Sequence, residues 1–354
     1  MRSHHYLLPV IAGAVLVAGA EPALADDPPV IGGPGVPVHP TAPSGPGGPP
    51  GTPQKVQYAP TEVVGLNGSA TTGVAVNDGG TVVGTSGEHA FSWSDGRIVD
   101  LGALDGGISA AVGINDSGLI AGNSTDATGV GHAVVWRDHL LTDLGPGVAF
   151  AVNDPGQVLV ERPVGTETHR FLWQDGEFTD LGVRAPGTET TGLTDAGDVL
   201  GTYPVPAGDP CECGVSAGVL HDGAVTTFGA LVTGVPDPVS RPSGANDDGD
   251  VVGAAAIDQS GTSRPFLWHD GALIQLPVLG GAQGIARDVS PGGFMIVGRA
   301  RTDHDPAEVP VAWDSLGQVR DLTEQGFTAG DDPVQITDTI LILTNRDGHA
   351  YLYR

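Results

Sequence analysis

Histidine is the residue whose type and recurrence first suggest chemistry in this chain. It opens a repeated run, seen as His89-Ala90-Phe91, His132-Ala133-Val134, His169-Arg170-Phe171 and His349-Ala350-Tyr351. An imidazole can ligate a metal or move a proton near neutral pH. One imidazole at the same position of successive units, however, is spread through an array rather than gathered on one ion. These histidines are therefore expected to hydrogen-bond structurally to a neighbouring loop. Segments that differ between units are better places for binding, and they supply the candidates Arg162, His169, Arg170, Asp303 and His304. No catalytic residue, metal ligand set or cofactor is assigned.

The two cysteines, Cys211 and Cys213, flank a single Glu212. In an oxidising compartment they are expected to be oxidised. A loop staple is favoured over intermolecular pairing and over redox or metal chemistry. The run Asn246-Asp247-Asp248-Gly249-Asp250 has the acids of a calcium loop but not its spacing or distal bidentate acid, so it reads as a turn. The chain contains no nucleophile elbow, phosphate-cradling glycine loop or zinc-protease helix signature.

The elements that must position these residues are internal repeats. Each unit opens with an apolar strand that ends in an Asn-Asp turn, as in Asn77-Asp78-Gly79-Gly80, Asn115-Asp116-Ser117-Gly118, Asn153-Asp154-Pro155-Gly156 and Asn246-Asp247-Asp248-Gly249. Leu193-Thr194-Asp195-Ala196-Gly197 is a variant. A second strand often ends in glycine. A third carries the aromatic signature, then an Asp-Gly hairpin leads into a fourth. All five tryptophans, Trp93, Trp136, Trp173, Trp268 and Trp313, share one repeat position, and Leu220 and Tyr353 take it in the other two units. Successive positions are about 37 to 48 residues apart, the length of one four-stranded propeller blade.

The last unit stops within its third strand at Tyr353-Arg354, while the run 61–66 looks like a fourth strand with nothing before it. Joined, the two ends complete a blade. The expected fold is an all-β, seven-bladed β-propeller closed by an N-terminal strand, which hides the terminal edges. In such a ring the first and third turns share one tight, uniform face. The other connections, 123–131, 161–168, 202–216, 254–263, 299–309 and 229–243, form a variable face on which a binding site is expected. Large side chains such as Phe91 and Trp93 should pack over small ones of the adjacent blade.

The rest of the chain bounds location and partners. Arg2, the apolar run 6–20 and Ala23-Leu24-Ala25 read as a signal peptide, residues 1–25, cleaved after Ala25. Residues 26–57 form a Pro/Gly-rich linker, expected to be disordered, and 58–354 the propeller. No span long enough to cross a membrane is expected in the mature chain. A net charge of -27 argues against nucleic acid or an anionic surface as a partner. The mature protein is expected to be extracellular and monomeric.

The His89-Ala90-Phe91 run, the Asn77-Asp78-Gly79-Gly80 turn before it and Asp100-Leu101-Gly102 after it resemble the HAF-repeat family of extracellular bacterial proteins, over residues 58–354. The unit 193–229 departs from the pattern, lacking both His and Trp at the signature positions, and the unit of Trp313 has a loosened motif. The resemblance implies a secreted propeller-like repeat protein and implies no activity. The expected function is a secreted, non-catalytic binding or surface-interaction module for an extracellular glycan or protein. The alternative is a secreted propeller enzyme, a lyase or glycoside hydrolase, with acids gathered near the central channel. A structural component of the cell envelope is a third reading.

Overall fold

The computed structural model describes residues 57–205, 214–232, 239–258, 260–303 and 308–354. The expected signal peptide with its expected cleavage point after Ala25, the expected linker up to residue 56, Cys211, Cys213 and His304 lie outside the described residues. Among those described, 28 strands form seven four-stranded antiparallel sheets. These are the blades of a propeller: blade 1 spans 71–100, blade 2 109–146, blade 3 148–183, blade 4 190–227, blade 5 240–275 and blade 6 280–321. Blade 7 combines Asp332–Ile336, Ile342–Arg346 and His349–Tyr353 with the N-terminal strand Pro60–Val63. Among the described residues no helix is long and apolar enough to cross a membrane.

Local sequence explains why each unit folds into a blade. The third turn places Asp95, Asp138, Asp175, Asp222 and Asp270, and the second turn of blade 7 places Asp347, at φ between 46° and 52°, a left-handed conformation that Asp tolerates. Glycine follows in five of the six and completes a two-residue hairpin, and His139 at φ 63° stands in for it in blade 2. In the first turn Asn does two jobs. Its side-chain oxygen accepts the amide four residues on, for Asn77, Asn115, Asn153 and Asn246, at 2.7–2.9 Å. Its Nδ2 donates to the next blade: Asn77 to the Asn115 carbonyl at 3.2 Å, Asn115 to Asn153 at 2.9 Å and Asn153 to Thr194 at 2.9 Å. The recurring Asn thus closes its own turn and stitches neighbouring blades together.

Closure is as expected, the N-terminal strand being Pro60–Val63 rather than 61–66, with Pro60 opposite Tyr353, Glu62 opposite Tyr351 and Val63 opposite Ala350. The amide of Tyr58 adds a bond to the Gln325 carbonyl at 2.8 Å.

The repeated histidines are structural, but their partner is not a neighbouring loop. The Nδ1 atoms of His89, His132 and His169 lie 2.8–2.9 Å from the carboxylates of Asp100, Asp143 and Asp180, on the fourth strand of the same blade. In blade 7 the pair is His349 with Glu62, at 3.2 Å, so the N-terminal strand brings its own copy of this clamp. The Gly182 amide first, and then His169, hold the Asp180 carboxyl below the usual range.

In blade 1 both faces of the sheet pack against neighbouring blades. Phe91 and Trp93 pack against Val63, Leu343 and Leu352 of blade 7, while Ala90 on the opposite face packs against Ala111 and Trp136 of blade 2. Trp136 against Ala90 is the large-on-small packing expected, whereas Phe91 and Trp93 meet Leu343 and Leu352, which are not small.

Candidate functional site

The Trp position of each blade packs on the residue just after, or at the end of, the fourth strand of the preceding one. Trp136 lies with Leu101 in one buried cluster, and its Nε1–H donates to the Leu101 carbonyl at 2.8 Å. Trp173 packs with Leu144, Trp313 with Leu276, Tyr353 with Leu322 and Trp93 with Val63. Trp268 stacks on Phe228 with ring centroids 4.4 Å apart. These six aromatic–apolar pairs account for six of the seven junctions, each with its own apolar cluster of buried residues.

The junction of blades 3 and 4 has no such cluster among the described residues. Here Leu220 replaces the aromatic residue and Leu181 stands where Leu101 does in blade 1. Leu181 and Leu220 are only half-buried. Between the two blades lies a cleft of about 620 Å³. Leu172, Leu181 and Leu220 form its apolar floor, and Asp175, Glu177, Asp198 and Asp222 place carboxylates around it. Gln157, Gln174 and Thr179 add neutral polar groups. His221 pairs with Asp198, and that hydrogen bond and charge, then the Asp222 charge, push the imidazole pKa up. A volume of this size can hold a ligand fragment rather than a lone water.

The same junction is polar on its other side. Glu161, nearly buried, accepts from Thr190 Oγ1 at 2.6 Å and lies 3.5 Å from Arg170 Nε and 3.2 Å from Arg184 Nε. Arg170, 3% exposed, also donates to Thr190 Oγ1 at 2.8 Å and sits over the Tyr203 ring at 5.3 Å. Burial, the largest influence, raises the Tyr203 hydroxyl to about 12. Arg170 occupies the position of Ala90 and Ala133, so one large cation replaces a methyl group and the interface reorganises around it.

Most of the binding candidates read from sequence fall elsewhere than expected. Residues 161–168 are not a long loop, because strands Val158–Val164 and Glu167–Gln174 leave only a two-residue turn. Arg162 is a strand residue that donates to the Leu144 and Pro146 carbonyls of blade 2, at 2.5 and 3.3 Å, and covers the Phe178 ring at 4.1 Å. His169 belongs to the clamp with Asp180, and Arg170 to the polar seam. Asp303 is exposed just beyond strand Met295–Thr302, and His304 lies outside the described residues. Two connections of the variable face are alike rather than variable. Asp126 accepts the amides of Thr128 and Val130, and Asp258 those of Ser260 and Thr262. Burial opposes ionisation at Asp258, but these bonds and the Ser260 and Thr262 hydroxyls outweigh it and bring the carboxyl to about 2.

Acids do gather at the channel, on the face of tight turns. The Asp78 amide donates to the Asp116 carboxylate at 2.9 Å, Asp116 to Asp154 at 2.8 Å and Asp154 to Asp195 at 2.9 Å. The Asp338 amide donates to Asp78 at 3.1 Å, which carries this arc of contacts across the closure into blade 7. Burial first, and then the neighbouring carboxylates, raise the pKa of Asp78, Asp154 and Asp247. Below the ring the first strands line a narrow space of about 190 Å³, with Val74, Val112, Phe150 and Val334 beside Arg287 and Asp288. Asp288 accepts the Ile336 amide of blade 7 at 3.0 Å, and burial lifts its pKa to about 7. Among the described residues no three His, Cys, Asp or Glu side chains are grouped as metal ligands.

The fold and its closure define the class: a seven-bladed β-propeller with its N-terminal strand completing the last blade. No family model matches the chain, and no curated protein sequence matches it. Among solved structures it is similar to the β-propeller domain of the Trilobed protease from Pyrococcus furiosus, which has an open velcro topology, with a TM-score of 0.54 and 7% identity over 80% of this chain and 95% of that one. Similarity to the acylaminoacyl peptidase of Pyrococcus horikoshii gives a TM-score of 0.52 and 10% identity, covering 81% of this chain and 51% of the peptidase. TolB from Acinetobacter baumannii matches at 0.43 and 13% identity over 67% of this chain, which spans 64% of TolB's length. At such identities the likeness is one of fold alone.

Proposed function

We propose that this propeller is an extracellular, non-catalytic binding module and that its ligand enters the cleft between blades 3 and 4. The observation that carries this reading is the missing aromatic residue at Leu220, which leaves about 620 Å³ open where the other junctions are filled by a ring. Folding would be better served by a tryptophan there, so the opening is a departure from the stabilising pattern, of the kind binding sites require. The carboxylates of the channel-mouth ring already serve as acceptors for neighbouring turns, which supports binding over acid–base turnover. The site moves from the variable-loop face expected from sequence to the face of tight hairpins, to which the turns at Asp175, Asp198 and Asp222 belong.

The test is a combined peptide and glycan array probed with the full chain and with Leu220→Trp, which refills the cleft. Binding should be lost in the variant, and bound ligand should be recovered chemically unchanged from the wild type. Binding that survives Leu220→Trp but disappears when 126–130 is replaced by Gly-Ser residues would return the site to the opposite face. Ligand recovered as a cleaved product would establish the enzyme reading instead.

A further inference from the structure

We propose that the cleft receives an aromatic side chain, an indole above all, presented next to a lysine or arginine on a partner polypeptide. This rests on the cleft being the binding site and names what fills it. The propeller itself shows what that seat accepts. At the six other junctions an aromatic ring of the chain occupies the corresponding place against an apolar residue of the preceding blade. Where the ring is the fully buried Trp136, its Nε1–H donates to the Leu101 carbonyl at 2.8 Å, and Trp313 donates to the carbonyl one repeat position further on, that of Pro277, at 2.7 Å. By repeat equivalence the carbonyl offered to a guest indole is that of Leu181 on the Trp136 pattern or that of Gly182 on the Trp313 pattern. The floor of Leu172, Leu181 and Leu220 supplies the apolar contact that an inserted ring needs.

The rest of the cleft selects the company the ring keeps. One aromatic side chain leaves part of the 620 Å³ free for its backbone and a neighbouring residue. Around that space stand Asp175 and Glu177, while His221, a histidine that can carry charge, pairs with Asp198 through Nδ1 and lies 3.6 Å from Asp222 through Nε2. A net charge of -27 adds long-range attraction for a cationic partner. A glycan is disfavoured because sugar rings stack on exposed aromatic platforms, and no Trp, Tyr or Phe lines the cleft among the described residues.

The probes are acetyl-Lys-Trp-Lys-amide, its Trp→Ala counterpart and acetyl-Glu-Trp-Glu-amide, titrated by calorimetry into the full chain and into Leu220→Trp. The Lys-Trp-Lys peptide should bind the wild type at least tenfold more tightly than either control, with affinity falling as salt is raised. The same peptide should lose at least tenfold on Leu220→Trp. Leu220→Phe is the second filled variant should the tryptophan disturb folding, and a melting temperature no lower than wild type certifies either one. An Ala peptide that binds as well as the Trp peptide overturns the aromatic proposal while leaving the cleft as a site. A cleft-dependent hit on the array that is a glycan does the same. Lys-Trp-Lys binding unchanged by filling the cleft overturns both readings.

Discussion

Asp288 should make the stability of this propeller fall as pH rises through the neutral range. The carboxyl is wedged at the channel between blades 5 and 7. A Cβ on Gly244 of blade 5 would lie 2.4 Å from its Oδ1, and its Oδ2 accepts the Ile336 amide of blade 7 at 3.0 Å. Arg287, next to it in sequence, turns instead to Asp332 at 3.2 Å. Burial outweighs the two backbone hydrogen bonds and lifts the folded-state pKa from 3.8 to about 7. A carboxyl raised in this way binds its proton more tightly folded than unfolded. Its contribution is fully favourable below pH about 3.8 and is lost as pH climbs through about 7. With about 1.4 kcal/mol per pKa unit, the loss is about 2 kcal/mol by pH 5.5 and about 4 kcal/mol by pH 8.5.

Asp288→Asn keeps an oxygen for the Ile336 amide and removes the titration. Urea unfolding of wild type and variant across pH 5.5 to 8.5 isolates the effect, because every other titrating group is common to both proteins. The Asn variant should be the more stable at pH 8.5, and its advantage over wild type should grow by about 2 kcal/mol across that range. A difference independent of pH, or one that grows toward acid, would refute the reasoning.

Other expectations concern the packing. Trp136→Ala should cost about 3–5 kcal/mol, since the ring is fully buried and its N–H bonds to blade 1. Trp173→Ala should cost less because that ring is only partly buried, and calorimetric melting of both variants checks the order. Glu161→Gln leaves Arg170 without its nearest carboxylate in an interface where it is 3% exposed, so it should destabilise by about 3 kcal/mol in denaturant titrations. Deleting 58–66 removes the fourth strand of blade 7 together with the His349–Glu62 pair. Hydrogen exchange should then speed up in 332–353, and unchanged protection there would rule out the latch.

Much of the architecture was legible in the residues because it depends on local chemistry repeated many times. Asp-Gly pairs specify tight hairpins, Asn-Asp turns recur with fixed spacing, and a lone strand at one end with a missing strand at the other implies closure. The clamp could be read only in part. The pattern marked His89, His132 and His169 as structural, but their partners Asp100, Asp143 and Asp180 lie eleven residues on and meet them only once the third and fourth strands pair. The variable loops were over-read. Arg162 and Arg170 differ between units because they fill particular inter-blade spaces, not because they face solvent.

The cleft divides the two sources of information most clearly. By itself the sequence determined that blade 4 carries Leu220 where five other blades carry tryptophan and one carries tyrosine. It could not say what that absence does, because the ring's partner is the preceding blade's Leu181, thirty-nine positions earlier. Only when the blades pack side by side does a small residue at one position become an open space between two sheets. The same tertiary packing decided that Asp175, Asp198 and Asp222, ordinary turn residues in their own hairpins, stand together around it. Turns and strands follow from neighbours in the chain, whereas a cleft exists only between elements that the chain itself keeps apart.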